Sequence, residues 1–241
     1  MRKFLLLIPA LFVWSCQSTG SDATEVQEVP VEATATQRNT VLDSLNEIIR
    51  YAPNDLDALE ARAEVYVRQQ NLKYAAADVA AVLQLDSSRT KALELWGDIS
   101  FSTNQTRQSR DAWQKCMAED PENVSCRLKM AELYHVVTEF EKSAELVDEV
   151  IELDPTNPEA HFLKGLLMRD ALGDTTRALE WFQKAIDLDP EYIEALDMCG
   201  VLYSAMGNPL ALAYFNRLVE LQPQNRIAMY NRGMFHLGME D

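Results

Sequence analysis

The residues best suited to metal or nucleophilic chemistry in this 241-residue chain are three histidines and four cysteines. His135, His161 and His236 form no pair at metal-ligand spacing with another His or Cys. The chain holds no glycine-rich phosphate loop and no Gly-x-Ser-x-Gly elbow. Carboxylates are numerous, but runs such as Glu145–Glu152 read as solvated helix faces. These residues point away from an enzyme, and no cofactor or metal is expected. Cys116 and Cys199 fall on core positions that suit a small apolar side chain. Cys116 is late in one helix and Cys126 early in the next. Antiparallel neighbours can bring the two sulfurs to bonding distance, so a Cys116–Cys126 disulfide and two separate thiols both remain open.

Charge narrows the partner. The net charge is −16, and 47% of residues are apolar. Affinity for phosphate backbones comes from Lys and Arg, so a nucleic-acid ligand is excluded as an expectation. A basic helix lying on a membrane is excluded on the same ground.

The elements that must position any site repeat along the chain. In Arg177–Pro190, Ala178, Phe182 and Ala185 share one helix face, and Asp189-Pro190 stops the helix. The same small-or-apolar pattern recurs as Val41/Leu45/Ile48, Ala75/Val79/Val82 and Ser109/Trp113/Cys116. It returns as Ser143/Val147/Val150 and Ala211/Phe215/Leu218. The stops fall at Pro53, Ser87, Pro121, Pro155, Pro190 and Pro223, a period near 34. A fixed period of this size means a stacked array. A second helix precedes each of the last five pads and carries a small residue on the same beat: Ala63, Gly97, Ala131, Gly165 and Gly200, with Gly233 beyond them. Small residues there let two helix backbones approach closely. Full repeats are expected at about 56–89, 90–123, 124–157, 158–192 and 193–225. The helix Val41–Tyr51, with Asn39 or Thr40 as its cap, and the helix at 226–241 are half repeats.

This pattern resembles the tetratricopeptide repeat (TPR) family over residues 41–241. The resemblance implies an all-α, right-handed solenoid of stacked antiparallel helix pairs, about five repeats with a half repeat at each end. Ser87 departs from the family's proline, and Arg62 and Lys164 stand where leucine is usual. The resemblance further implies a concave groove lined by the first helix of each repeat. The lining positions are Glu60, Glu64, Glu94, Asp98 and Glu132, then Phe162, Leu166, Val201, Tyr230 and Met234. The groove is thus expected to be acidic towards the N-terminus and apolar towards the C-terminus. The family's clamp for a C-terminal carboxylate needs Lys and Asn where this chain has Glu60 and Glu64, or Glu94 and Asp98. A receptor for such tails is therefore rejected, and a partner segment with basic and apolar character is expected.

The stretch Met1–Ser15 forms a further unit. Arg2 and Lys3 precede an apolar run from Phe4 to Trp14. Eleven residues make about 16 Å of helix, too short for a hydrocarbon core of about 30 Å. Residues 1–15 therefore read as a signal peptide. Ser15 before Cys16 resembles a bacterial lipoprotein signal, which implies lipidation of Cys16, a membrane anchor through acyl chains such as palmitate, and a place in the bacterial cell envelope. Gln17 in place of aspartate implies the outer rather than the inner membrane. Residues 16–40 read as the lipidated cysteine and a disordered acidic tether, with a span of about 27 Å. At the other end, Tyr230–Met239 is apolar on nearly all sides. That segment is expected to dock a partner or a second copy, to continue into further sequence, or to serve as a plain cap. The functional expectation is an envelope-anchored scaffold or adaptor. The alternative is a stoichiometric subunit of a secretion or motility machine, docked through this apolar helix.

Overall fold

The computed structural model describes residues 31–238, with side chains from Thr40 onwards. The signal peptide, Cys16, most of the tether and Met239 lie outside the described residues. Within them every element is helical. Five antiparallel pairs follow one another: α2 (Leu56–Arg68) with α3 (Leu72–Leu85), α4 (Thr90–Ser102) with α5 (Thr106–Glu119), and α6 (Val124–Val136) with α7 (Phe140–Leu153). Then come α8 (Pro158–Leu172) with α9 (Thr175–Leu188) and α10 (Ile193–Ala205) with α11 (Leu210–Leu221). A single helix flanks each end, α1 (Val31–Tyr51) and α12 (Arg226–Gly238). Each helix packs on the next, and α2 touches α4, α6 touches α8 and α10 touches α12. This is the stacked-pair solenoid that the sequence period requires.

The first helix of each repeat offers a slot, and the second fills it with a side chain of matching size. Ala63 and Val79 share one buried cluster, and Ala131 and Val147 share another. Where the slot residue is glycine, the filler is aromatic. A Cβ on Gly97 would lie 2.1 Å from the Trp113 ring, one on Gly165 2.5 Å from Phe182, and one on Gly200 2.6 Å from Phe215. Real Cβ contacts do not come that close, so these glycines are needed for the approach itself. Trp113, Phe182 and Phe215 are all fully buried. Truncating one to alanine would cost about 3–5 kcal/mol.

Two kinds of turn keep the beat. Between repeats, Asp86, Asp120, Asp154 and Asp189 each accept a backbone N–H two residues on. Such Asx turns make the proline dispensable, so Ser87 breaks nothing: Asp86 also holds the Ser88 hydroxyl at 2.7 Å. Within repeats, the turn needs one residue at positive φ: Gln70, Asn104, Thr138, Gly173 and Gly207. The extra residue of the fourth repeat lies between Gly165 and Gly173, inside a longer α8. The missing residue of the fifth lies between Gly207 and Phe215, where Pro209 opens a shorter α11.

Two sequence expectations change. Helix α1 begins at Val31, not Val41, so Asn39 and Thr40 lie inside it and not at its N-terminus. No proline or glycine interrupts Val31–Tyr51, so the helix stops only where such a breaker appears, and the C-terminal part of the 16–40 stretch is helical. Arg62 and Lys164, which stand where leucine is usual, each make an ion pair. Arg62 forms a two-pronged pair with Asp78, at 2.7 and 2.8 Å, and reaches Asn46 at 2.8 Å. Lys164 reaches back to Asp148 at 2.5 Å. Each ties its helix to a second helix of its own or the preceding repeat.

Candidate partner groove

The first helices α2, α4, α6, α8 and α10 stand side by side, and their carboxylates converge. Asp98 on α4 feels the charge of Glu159 on α8, two repeats away. Tyr192, just before α10, feels both Glu159 and Glu132. Charges this far apart in the chain thus come within reach of one another along the face of the first helices.

The acidic part of the groove is narrower than the sequence suggests, because its first two residues are paired off. Glu60 is 2% exposed and locked to Arg89, whose Nε donates at 2.8 Å and Nη2 at 3.1 Å. Arg89 sits just before α4 and also contacts Asp57. Glu64 is paired with Lys91 of α4 at 2.6 Å. Both first-repeat acids are therefore neutralised by the next repeat, and Glu60 presents no free charge. This corrects the expectation for Glu60 and Glu64 alone: a buried carboxylate must find a cation, and Arg89 supplies it for Glu60.

The uncompensated acids are further along. Glu94 accepts a hydrogen bond from Ser125 on α6. Asp98 is half-buried, and its Oδ1 makes no hydrogen bond of normal geometry. Burial pushes its carboxyl up; Lys129 and the Trp113 indole pull the other way, and Glu94 and Glu159 add to the rise. Glu132 is pushed up to about 7, first by burial and then, against the pull of Lys129, by a shared hydrogen bond with Glu159 and that group's charge. Lys129, 3.9 Å from Glu132, is the cation amid this cluster. Burial works against its charge, but Glu132, Asp98, Glu159 and Glu94 outweigh that and hold its pKa up. Sequence reasoning missed Lys129, Glu159 and Tyr192. Glu159 and Lys129 stand ahead of the small slot residues Gly165 and Ala131, outside the lining positions that the resemblance carried over.

The apolar half divides in two. Phe162 packs on Phe182 at 5.4 Å and edge-on to Tyr192 at 5.3 Å, and Leu166 joins the same core cluster. Both are half-buried, so they form the groove floor more than a free surface. Val201, Tyr230 and Met234 are exposed. A cleft of about 480 Å³ lies elsewhere, lined by Glu180, Gln183 and Lys184 of α9 and Tyr203 and Met206 at the end of α10.

Most of the remaining residues singled out by type have structural partners. Cys116 and Cys126 are joined by a disulfide that links α5 to α6, and both are fully buried. Cys199 is a buried thiol pushed up to about 12 by desolvation. His135 meets Asp170 at 3.0 Å, and His161 bonds the Pro155 carbonyl at 2.9 Å and stacks on Trp181. His236 is exposed on α12. Among the described residues no helix is long and apolar enough to cross a membrane.

Comparison with known proteins places this geometry. Residues 128–193 match a family model described as Tetratricopeptide repeat. Photosystem I assembly protein Ycf3 of Cyanophora paradoxa is 29% identical over 96 residues, covering 34% of this chain and 56% of that protein. The chain therefore spans about half the length of that curated relative. The structure of pilF from Pseudomonas aeruginosa superposes with a TM-score of 0.68 at 16% identity, over 77% of this chain and 85% of that one. YrrB, described as a TPR protein with an unusual peptide-binding site, superposes with a TM-score of 0.54 at 20% identity, over 80% and 99% of the two chains. Likeness at these identities is likeness of fold: an all-helical, TPR-type solenoid.

Proposed function

We propose that this chain is an envelope-tethered scaffold that captures a segment of another protein in the groove of α4, α6 and α8. The observation that carries the reading is the cluster of Asp98, Glu132 and Glu159. Three half-buried carboxylates share one lysine, and one carboxylate oxygen makes no hydrogen bond of normal geometry. A Lys or Arg side chain from the partner would relieve that arrangement, and apolar residues beside it would meet the floor at Phe162 and Leu166. A repeat array binds segments through such extended inner surfaces, and the peptide-binding description of YrrB is consistent with this use of the fold. The fold is one that typically serves as an interaction scaffold without a catalytic centre. The tether is read from sequence: Cys16 after Ser15 supports lipid anchoring at the envelope, and Gln17 in place of aspartate supports the outer membrane in preference to the inner.

A pool of fluorescent peptides, each with one Lys or Arg followed by apolar residues, tests the groove. Binding to the full chain is compared with binding to a variant carrying Glu94→Gln, Asp98→Asn, Glu132→Gln and Glu159→Gln. The expected result is a loss of about tenfold or more in affinity, with the fold intact by circular dichroism. Equal affinity for the two proteins would remove the groove reading. The anchor is tested apart from it: Cys16→Ser should move the protein out of the membrane fraction and end labelling by palmitate.

A further inference from the structure

The two flanking helices of the array are the two halves of one repeat. Among the described residues, α1 is a second-type helix with no first-type helix before it, and α12 is a first-type helix with no second-type helix after it. We propose that a second copy of this chain lays its α1 on α12, so that copies join head to tail and each junction completes a sixth full repeat. The proposal is independent of the groove reading.

The open slot on α12 and the uncovered filler face on α1 carry the argument. Three glycine slots have an aromatic ring within 2.1–2.6 Å of where a Cβ would be, whereas around Gly233 nothing lies within 4 Å. The α12 face beside it presents Tyr230 at 65%, Met234 at 49% and Leu237 at 62% exposure. The matching filler surface is on α1. Ala75, Val79 and Val82 are fully buried in their pair, but their equivalents one period earlier are not: Val41 is 49% and Ile48 45% exposed, and Leu45 is half-buried. Leu45 holds the filler position and Gly233 the slot; leucine is smaller than the aromatic fillers of the other glycine slots, so it enters without a clash but fills the slot less completely.

Other pairings of copies fail on the same rule. Two α12 helices would set slot against slot with nothing to fill either. Two α1 helices would set filler against filler. Charge favours the same choice. Helix α12 carries Arg226 and Arg232 and no acid, whereas α1 from Thr40 onwards carries Asp43 and Glu47 against Arg50. Arg62, one residue before the first slot, already spans two second-type helices, holding Asn46 of α1 and Asp78 of α3. Arg232 stands at the same place before Gly233 and holds only the first such partner, Asn216 at 3.3 Å. A contact between two different faces that extends the existing superhelix does not close on itself, so the product is an open series of oligomers and not a dimer.

Cysteine pairing between copies tests this. The whole chain is prepared with Cys16→Ser throughout, and with Leu45→Cys, Gly233→Cys or both. Cys116 and Cys126 are bonded to each other and Cys199 is buried, so the introduced thiols are the reactive ones. Leu45 and Gly233 lie at opposite ends of one array and cannot meet within a copy. After mild oxidation the double variant should give a ladder of dimers, trimers and higher species on a non-reducing gel. A mixture of the two single variants should stop at the dimer. Sedimentation of the chain without introduced cysteines should show mass rising with concentration, and Leu45→Asp, at a half-exposed site, should abolish that rise without unfolding the protein. A double variant that yields no ladder overturns the proposal. So does a single discrete dimer that Leu45→Asp leaves intact, because it would place the contact on another face.

Discussion

The first repeat and the middle repeats carry the same residue type on the same helix face, and the structure uses it in opposite ways. Glu60 and Glu64 are each matched by a cation from the following repeat, Arg89 and Lys91. Asp98, Glu132 and Glu159 share Lys129 among three. The first set stitches two repeats together; the second leaves negative charge facing the groove. A carboxylate on a lining position is therefore not yet a binding residue. What decides is whether the neighbouring repeat brings a base within reach.

The largest effect expected from breaking this contrast is on the stitched side. Arg89→Ala leaves Glu60 buried without a partner, and should destabilise the chain by about 2–3 kcal/mol. In thermal melts that corresponds to a drop of roughly 5–10 °C. An unchanged melting temperature would mean that Glu60 turns out to solvent and was never locked. A loss of similar size is expected at the staple between the second and third repeats. Replacing Cys116 and Cys126 with serine frees a short closed loop, with a sequence separation of 10, at about 2–3 kcal/mol. Mass spectrometry after alkylation without reductant should find neither cysteine labelled in the native chain.

On the groove side the effects are smaller and depend on pH. The carboxyl of Glu132 titrates near 7 in the folded chain, raised from its usual 4.5. The folded state therefore holds a proton that the unfolded state has released between those values. Stability should fall as pH rises from about 4.5 to about 7, and the cost persists above that. Glu132→Gln should flatten this slope and raise the melting point at pH 8 by on the order of 2 °C, a modest figure because the side chain is partly in solvent. Binding has the opposite sign. A Lys- or Arg-bearing peptide needs the charged form, so its affinity should rise from pH 6 to pH 8 and binding should release a proton. Titration calorimetry in two buffers of different ionisation enthalpy reads that proton directly.

The smallest effect sharpens the turn rule. Thr138 is a β-branched residue at φ 63°, on the beat that glycine occupies at Gly173 and Gly207. Thr138→Gly should stabilise by about 0.5–1 kcal/mol, and Gly173→Thr should cost at least as much. Chemical denaturation of the pair measures both signs.

The array itself was legible in the sequence. The evenly spaced stops and the small residues from Ala63 to Gly233 place every repeat closely, because turns and close helix contacts accept few residue types. Slot and filler sizes can even be matched by eye, glycine with Trp113, Phe182 and Phe215, alanine with Val79 and Val147. The start of α1 was not legible, since the stretch 31–40, with neither proline nor glycine, carries no signal that separates tether from helix. The groove was legible only in part. Counting acids along lining positions named Glu94, Asp98 and Glu132 of the cluster, and counted with them Glu60 and Glu64, which ion pairs take out of it. The cations that cancel Glu60 and Glu64 belong to the following repeat, at Arg89 and Lys91. The lysine and third carboxylate of the real cluster come from positions the periodic reading did not count. Local sequence determined what repeats, because turns, slots and stops are short-range constraints. Which charges remain free, and which two faces stay uncovered on the flanking helices, was decided only when the repeats stacked, because electrostatic pairing and burial are properties of neighbours that the chain brings together from afar.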